Sequence, residues 1–207
     1  MSRLLQRGTG PAGLVLTALC LLLPFLSASC ASEETPRQQW RVTYTGVDVL
    51  AGTAPEVAFT EDADKTPIRE LGAAEAEQLT GAAPLTLPAQ PVAWLAVALM
   101  AAALGATGLP SRAWRTTAAA GLSLAAAVVL AGAMVLARRD VTDAVATVLR
   151  SGSASAPVAT PVRQWDAYGE VGGMVHYAYG SWIAIALLAA VGVGHLVAAL
   201  TTPPVRS

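Results

Sequence analysis

The sequence has few charged, aromatic and cysteine residues. Asp, Glu, Lys and Arg make up 13% of its 207 residues, about half the share that is usual in soluble domains. Only two cysteines are present, which excludes a disulfide-rich scaffold and a zinc site made of cysteines alone. Thirteen basic and fourteen acidic side chains leave a net charge of −1, so the composition provides no basic surface for a nucleic acid partner.

The apolar residues are concentrated in four long stretches. Hydrophobic residues make up 54% of the chain and the mean hydropathy is +0.52, which excludes an intrinsically disordered protein. A helix needs about 20 apolar residues to cross a bilayer. Stretches of about this length without Asp, Glu, Lys or Arg are 12–29, 92–109, 116–137 and 182–200. We therefore predict an all-α membrane protein with four transmembrane helices and a small β-containing extracytoplasmic loop.

The charges between these stretches predict the orientation of the chain. The short segments 1–11, 110–115 and 201–207 carry five arginines and no acid, whereas all fourteen acids lie in the longer segments 30–91 and 138–181. Positive residues concentrate on the cytoplasmic side. Both termini are therefore expected in the cytoplasm of a multi-pass plasma membrane protein. Aromatic side chains expected to anchor the helices at the membrane interfaces are Trp94, Trp114, Tyr179 and Trp182.

The first apolar stretch also has the features of a secretory signal. Arg3 and Arg7 precede it, and the small residues 27–29 end it. Cys30 then makes lipidation of a mature N-terminus conceivable, although Ser27 stands where lipoproteins usually have an aliphatic residue. A retained helix and a cleaved signal both remain open, and the rest of the predicted topology is the same in either case.

Residues 23–30 (LPFLSASC) and 42–52 (VTYTGVDVLAG) resemble a group of uncharacterised bacterial four-span membrane proteins. In that group a Pro-Phe…Ser-Cys run ends the first helix, and a T-G-x-x-L-x-x-G segment follows outside. Residues 179–182 (YGSW) are similar to the Tyr-Gly-aromatic step before the group's last helix. The resemblance implies a bacterial protein with a retained first helix and no established catalytic activity.

The two long segments have local patterns of their own. In segment 30–91, alternation over 40–45 predicts a strand, 47–50 and 56–60 are further candidate strands, 62–65 reads as a turn and 73–79 as a helix. Residues 85–91 predict a stiff approach to the second span. In segment 138–181, residues 140–150 have amphipathic helical spacing. This helix either lies on the membrane surface or continues the third span, and a flexible linker is expected over 151–162.

His195 is the strongest candidate for chemistry within the spans. Intramembrane histidines mark proton paths, metal sites or haem ligands, but the preferred interpretation is a neutral histidine hydrogen-bonded to a neighbouring helix or to an interfacial group. The other histidine, His176, would lie about 28 Å away on a continuous helix, too far to share one iron. In segment 30–91, Glu61, Asp62 and Asp64 lie close together in the sequence, but they lack the spacing of a calcium-binding loop. We therefore expect no cofactor and no metal.

Two helices carry stripes of small residues. Small residues at intervals of four allow helix backbones to approach closely in lipid. The stripes are Ala186, Ala190, Gly194 and Ala198 in the fourth span, and Ala119, Ser123, Ala127 and Ala131 in the third; Val97, Ala101 and Gly105 approach the same pattern in the second. They indicate packing within the bundle or a docking face for another membrane protein.

The sequence predicts a non-catalytic accessory or interaction subunit. Its expected partners are the lipid bilayer and another membrane protein or a second copy of the chain. Two alternatives remain open. One is a transport or cofactor-binding subunit that uses His195, and the other is an envelope lipoprotein-like sensor anchored at Cys30. The absence of charged residues from the spans favours the accessory subunit, because ion and substrate pathways usually need such residues.

Overall fold

The computed structural model describes residues 2–31, 39–60, 69–71, 85–151 and 173–201. This part of the chain is mostly helical and contains one small antiparallel sheet. The helices are α1 (Ser2–Cys20), α2 (Gly46–Ala51), α3 (Pro91–Ala106), α4 (Arg112–Ser151) and α5 (Tyr179–Leu200). The strands are β1 (Pro24–Ala31), β2 (Gln39–Thr45), β3 (Glu56–Thr60), β4 (Arg69–Leu71) and β5 (Val175–Tyr177).

Two helices are long and apolar enough to cross a membrane. They are α4, over Trp114–Thr147, and α5, which contain the predicted spans 116–137 and 182–200. The predicted span 92–109 corresponds to α3, whose 16 residues rise about 24 Å, less than the ~30 Å hydrocarbon core. By length and composition, the described residues contain two such helices instead of the four that the sequence predicted.

The prediction of a helical span over 12–29 is wrong in its second half. Helix α1 ends at Cys20, and the backbone N–H groups of residues 21–23 donate to carbonyls three positions earlier, which tightens the last turn. Pro24 then begins β1. A residue that precedes proline is disfavoured in the helical region, so Leu23 cannot readily continue the helix. The apolar run therefore serves two different elements.

The described chain divides into two compact units. Among the described residues, the helical unit contains 2–23, 91–134 and 180–201, and the sheet unit contains 24–31, 39–60, 69–71, 85–90, 135–151 and 173–179. Helix α4 is continuous through residue 134 and contributes residues to both units. The segment 140–150 thus continues the third predicted span, one of the two possibilities left open by its spacing. Val141 and Val145, four positions apart in this segment, are buried.

Close helix contacts in the helical unit occur at glycines. A Cβ atom on Gly192 of α5 would lie 2.7 Å from Leu124 Cγ and 3.3 Å from the Ala120 carbonyl oxygen of α4. A Cβ atom on Gly13 of α1 would lie 2.5 Å from Val191 Cγ2 of α5. Both glycines therefore occupy places where a larger residue would force a neighbour to move.

The sheet unit contains a five-stranded antiparallel sheet in the order β4-β3-β2-β1-β5. Its register places Val175, Ala28, Val42 and Val57 in one row across four strands, and all four are buried. On the opposite face, Ser29, Arg41, Glu56 and His176 are exposed. The sheet thus has one apolar and one polar face, as expected for an antiparallel sheet covered on one side.

The predictions for the first long segment are partly confirmed. Strands over 40–45 and 56–60 are present as β2 and β3. The candidate strand 47–50 is wrong, because these residues belong to α2. Thr45 and Asp48 form a capping box at its N-terminus, and such reciprocal bonds satisfy the first free N–H groups of a helix. The turn 62–65, the helix 73–79 and linker residues 152–162 lie outside the described residues.

Helix α2 ends at a glycine that is required by both conformation and space. Gly52 adopts a left-handed conformation with φ of 69°, which is costly for residues with a Cβ atom. A Cβ atom there would also lie 2.6 Å from the Leu87 carbonyl oxygen and 2.8 Å from the Ala89 nitrogen. The segment 85–90, predicted as the approach to the second span, therefore passes directly over this turn.

Candidate functional site

His195 lies on α5 and has an unpaired buried nitrogen. Its Nε2 atom is buried and has no hydrogen-bond partner among the described residues. The Arg115 guanidinium, from α4, lies near enough to act on the imidazole electrostatically. The described residues of the helical unit contain no Asp or Glu. The structure therefore does not place at Nε2 the interhelical hydrogen bond that was expected for a neutral histidine.

The geometric reason given for separating His176 from His195 is wrong. His176 lies in β5 and is exposed, so the two histidines are not on one continuous helix and the helical rise does not set their distance. Among the described residues, no group of three or more His, Cys, Asp or Glu could hold a metal ion. Glu61, Asp62 and Asp64 are outside these residues.

The two cysteines lie in different kinds of element. Cys20 is a buried free thiol at the end of α1. Cys30 lies in β1, opposite Trp40 of β2. The two cysteines are therefore not on one helix, because α1 ends ten positions before Cys30.

The stripe of small residues on α4 faces the interior of the protein. Ala119, Ser123 and Ala127 are buried, and Ala131 is half-buried. The Ser123 hydroxyl has no hydrogen-bond partner in the described part of the chain. Small residues on this face agree with packing inside the chain, which was one of the two interpretations of the stripe.

The stripe on α5 faces outward instead. Ala186, Ala190 and Gly194 are exposed and Ala198 is half-buried. The buried residues of this helix are Gly180, Ser181, Ala184, Leu188 and Gly192. Packing within the chain therefore does not explain this stripe. On α3 the same holds for Ala101 and Gly105, which are exposed, because its buried face is formed by Ala93, Ala96, Met100, Ala103 and Ala106.

The four aromatic residues expected as interface anchors are largely exposed. Each has more than half of its surface accessible, and each lies within the first turn of a helix: Trp94 on α3, Trp114 on α4, Tyr179 and Trp182 on α5. Amphipathic aromatic rings at helix ends suit the boundary between lipid and headgroups.

The polar contacts of the sheet unit hold its segments together. The buried Tyr44 hydroxyl donates to the Leu85 carbonyl at 2.8 Å, and burial, followed by the charge of Asp48, raises the pKa of Tyr44. The Gln90 amide donates to the Asp140 carboxylate of α4. The two residues of each pair are more than 40 positions apart in the chain, so local residue spacing does not predict these contacts.

Arg138 also has a partner inside the sheet unit. Its guanidinium lies over the ring of Tyr177 in β5, 5.3 Å from the ring centroid, within the range of a cation–π interaction. Arg138 directly follows the third predicted span, at an end that the predicted topology places outside the cytoplasm, where positive residues are less frequent. Its contact with Tyr177 gives it a structural role in the sheet unit.

Comparison with known proteins finds no matching family model, no similar curated protein and no similar solved structure. The resemblance to uncharacterised bacterial four-span proteins stays a prediction.

Proposed function

We propose that this chain is a multi-pass bacterial plasma membrane protein and a non-catalytic accessory subunit that binds another membrane protein through α5. The observation that supports this proposal most directly is the outward position of the small residues on α5. We define its outer face by Ala186, Ala190 and Gly194. These three residues are exposed on α5 and are not covered by other described residues of the chain.

The outer face of α5 has the properties that favour helix association in lipid. A Cβ atom on Gly194 would meet no atom within 4 Å, so a second backbone could approach closely there. Lipid removes the hydrophobic driving force between helices, and close packing at small residues replaces it. The neighbouring Val193 and Val197 are also exposed and would supply branched side chains around such a contact.

The polar groups of the helical unit support a binding role over a transport role. A path for ions or protons generally needs ionisable residues along the membrane. The described residues of the helical unit contain no Asp or Glu. The ionisable side chains of Cys20, Arg115 and His195 therefore have no carboxylate from this unit beside them. A partner that contacts the outer face of α5 therefore accounts for more of the structure than a substrate path does.

Replacing small residues on the outer face should abolish binding. We expect Gly194→Leu and Ala190→Leu each to remove co-purifying membrane proteins, because the added side chains keep the backbones apart. Gly121→Leu is the matched control, because Gly121 is exposed on α4 instead of α5 and a Cβ atom there meets no atom within 4 Å. The measurement is cross-linking in native membranes, followed by affinity purification in mild detergent and identification of the captured proteins.

The outcomes separate the possible partners. Capture of a differently tagged copy of this chain would identify the partner as a second copy, and capture of another membrane protein would identify an accessory role. Equal recovery with Gly194→Leu, Ala190→Leu and the control Gly121→Leu would refute the proposal. Circular dichroism of each purified variant checks that helix content is unchanged.

A further inference from the structure

Strand β1 lies at a position that a cleaved signal would remove. It pairs with β2 on one side over Pro24–Ala31 and with β5 on the other through Leu26, Ser27 and Ala28. It is therefore an interior strand of the sheet. Cleavage after Ser29, as required for a mature chain that starts at Cys30, would remove six of its eight residues.

The residues that cleavage would remove belong to the core of the sheet unit. Phe25 is 1% exposed, and Leu26 and Ala28 are fully buried. The Phe25 carbonyl also accepts a hydrogen bond from the backbone N–H of Ala178, just after β5. Without these residues, β2 and β5 would both present unpaired backbone groups to solvent, and a sheet edge of this kind is a site of aggregation.

We propose that residues 1–29 stay in the mature protein uncleaved and that Cys30 is a strand residue, not a lipidation site. Helix α1 packs closely on α5 at Gly13, and β1 supplies an interior strand of the sheet. The same apolar run thus contributes to the helical unit and completes the sheet unit. This excludes the lipoprotein-like sensor, because that alternative requires Cys30 at the N-terminus.

The direct test is the mass and N-terminal sequence of the full chain, purified from membranes through a C-terminal tag. We expect a mature chain that still contains residues 2–29 and carries no acyl group on Cys30. Cys30→Ser should give the same processing and the same membrane retention. An N-terminus at Cys30 that carries a diacylglycerol would overturn the proposal, as would any other cleavage between residues 20 and 31.

A cross-link tests the position of β1 in the folded protein. Ser27 of β1 and His176 of β5 are directly paired in the register. Ser27→Cys with His176→Cys should therefore form a disulfide on mild oxidation, in a Cys20→Ala background that keeps Cys30 so that processing is not prevented. The cross-linked peptide is detected by mass spectrometry. The controls carry only Ser27→Cys or only His176→Cys in the same background. Absence of the cross-linked peptide from the double variant would contradict the proposed strand.

A pair of substitutions on β1 separates its packing from its processing. Leu26→Glu places a charge on the buried face, and Ser29→Glu places the same charge on the exposed face. We expect Leu26→Glu to make the sheet unit sensitive to limited proteolysis, while Ser29→Glu leaves it resistant. Equal resistance of the two variants would show that β1 is dispensable and would overturn the proposal.

Discussion

At the scale of single residues, Tyr44 connects the sheet to the chain that leads into α3. Its ring is fully buried on β2, and its hydroxyl donates to the Leu85 carbonyl. In Tyr44→Phe this buried carbonyl loses its partner, and we expect the free energy of unfolding to fall by about 1–3 kcal/mol. Hydrogen exchange of residues 85–90 in nanodiscs measures the loss. Thr43→Val, on the other face of β2, is the control and should have a smaller effect.

The pH dependence of stability provides an independent check on Tyr44. Burial raises its pKa above the ordinary value, and tyrosine in an unfolded chain ionises near pH 10. The neutral form is favoured in the folded state, so this contribution to stability is present below about pH 10 and is lost as the pH rises toward the folded value. The wild type should therefore lose stability more steeply above pH 10 than Tyr44→Phe. Parallel pH curves would mean that the hydroxyl is not buried.

At the scale of elements, a strand or helix could be predicted from the sequence only where its own residues carry the pattern. Strands β2 and β3 were predicted because their residues alternate between polar and apolar. Strand β1 was missed because Leu26-Ser27-Ala28-Ser29 follows a long apolar run and was read as the end of a helix. Pro24 was the available signal for a break. Helix α2 was missed although Thr45 and Asp48 have the spacing of a capping box, because the apolar residues Val47, Val49 and Leu50 suggested a strand.

The faces of the helices were harder to predict than the helices. Small residues at intervals of four occur on α3, α4 and α5, but only on α4 does the stripe coincide with the buried face. Alanine is so frequent in these segments that several faces of one helix satisfy the same pattern. Which face is buried is decided by neighbouring helices, and a single sequence does not specify them.

Close packing between α4 and α5 leads to a prediction about Gly192. Gly192→Leu would drive its side chain into Leu124 and toward the Ala120 carbonyl, so we expect a loss of about 1–3 kcal/mol from overpacking. Gly132→Leu is the matched control, because a Cβ atom there meets nothing within 4 Å. Thermal unfolding in detergent compares the two. A midpoint for Gly192→Leu equal to that of Gly132→Leu would contradict the close contact.

At the scale of the whole molecule, reporter fusions test which helices cross the membrane. A phosphatase reporter fused after Gln90, Pro110 or Ser207 distinguishes the arrangements. Four spans with cytoplasmic termini predict activity after Gln90 and inactivity after Pro110 and Ser207. If α4 and α5 were the only spans, the reporters after Gln90 and Pro110 would agree with each other. Activity after Ser207 with inactivity after Gln90 would reverse the orientation.

The pairing of β1 with β5 also sets the order in which the protein can fold. Leu26 pairs with Tyr177, about 150 positions later, and contacts so distant in the chain form slowly because a large loop must close first. During synthesis, β1 emerges long before its second neighbour exists. One edge of β1 therefore stays open until α3 and α4 have been made and residues 175–177 have been synthesised. Protection of this edge, by the membrane surface or by a chaperone, is a requirement of biogenesis that the finished fold no longer displays.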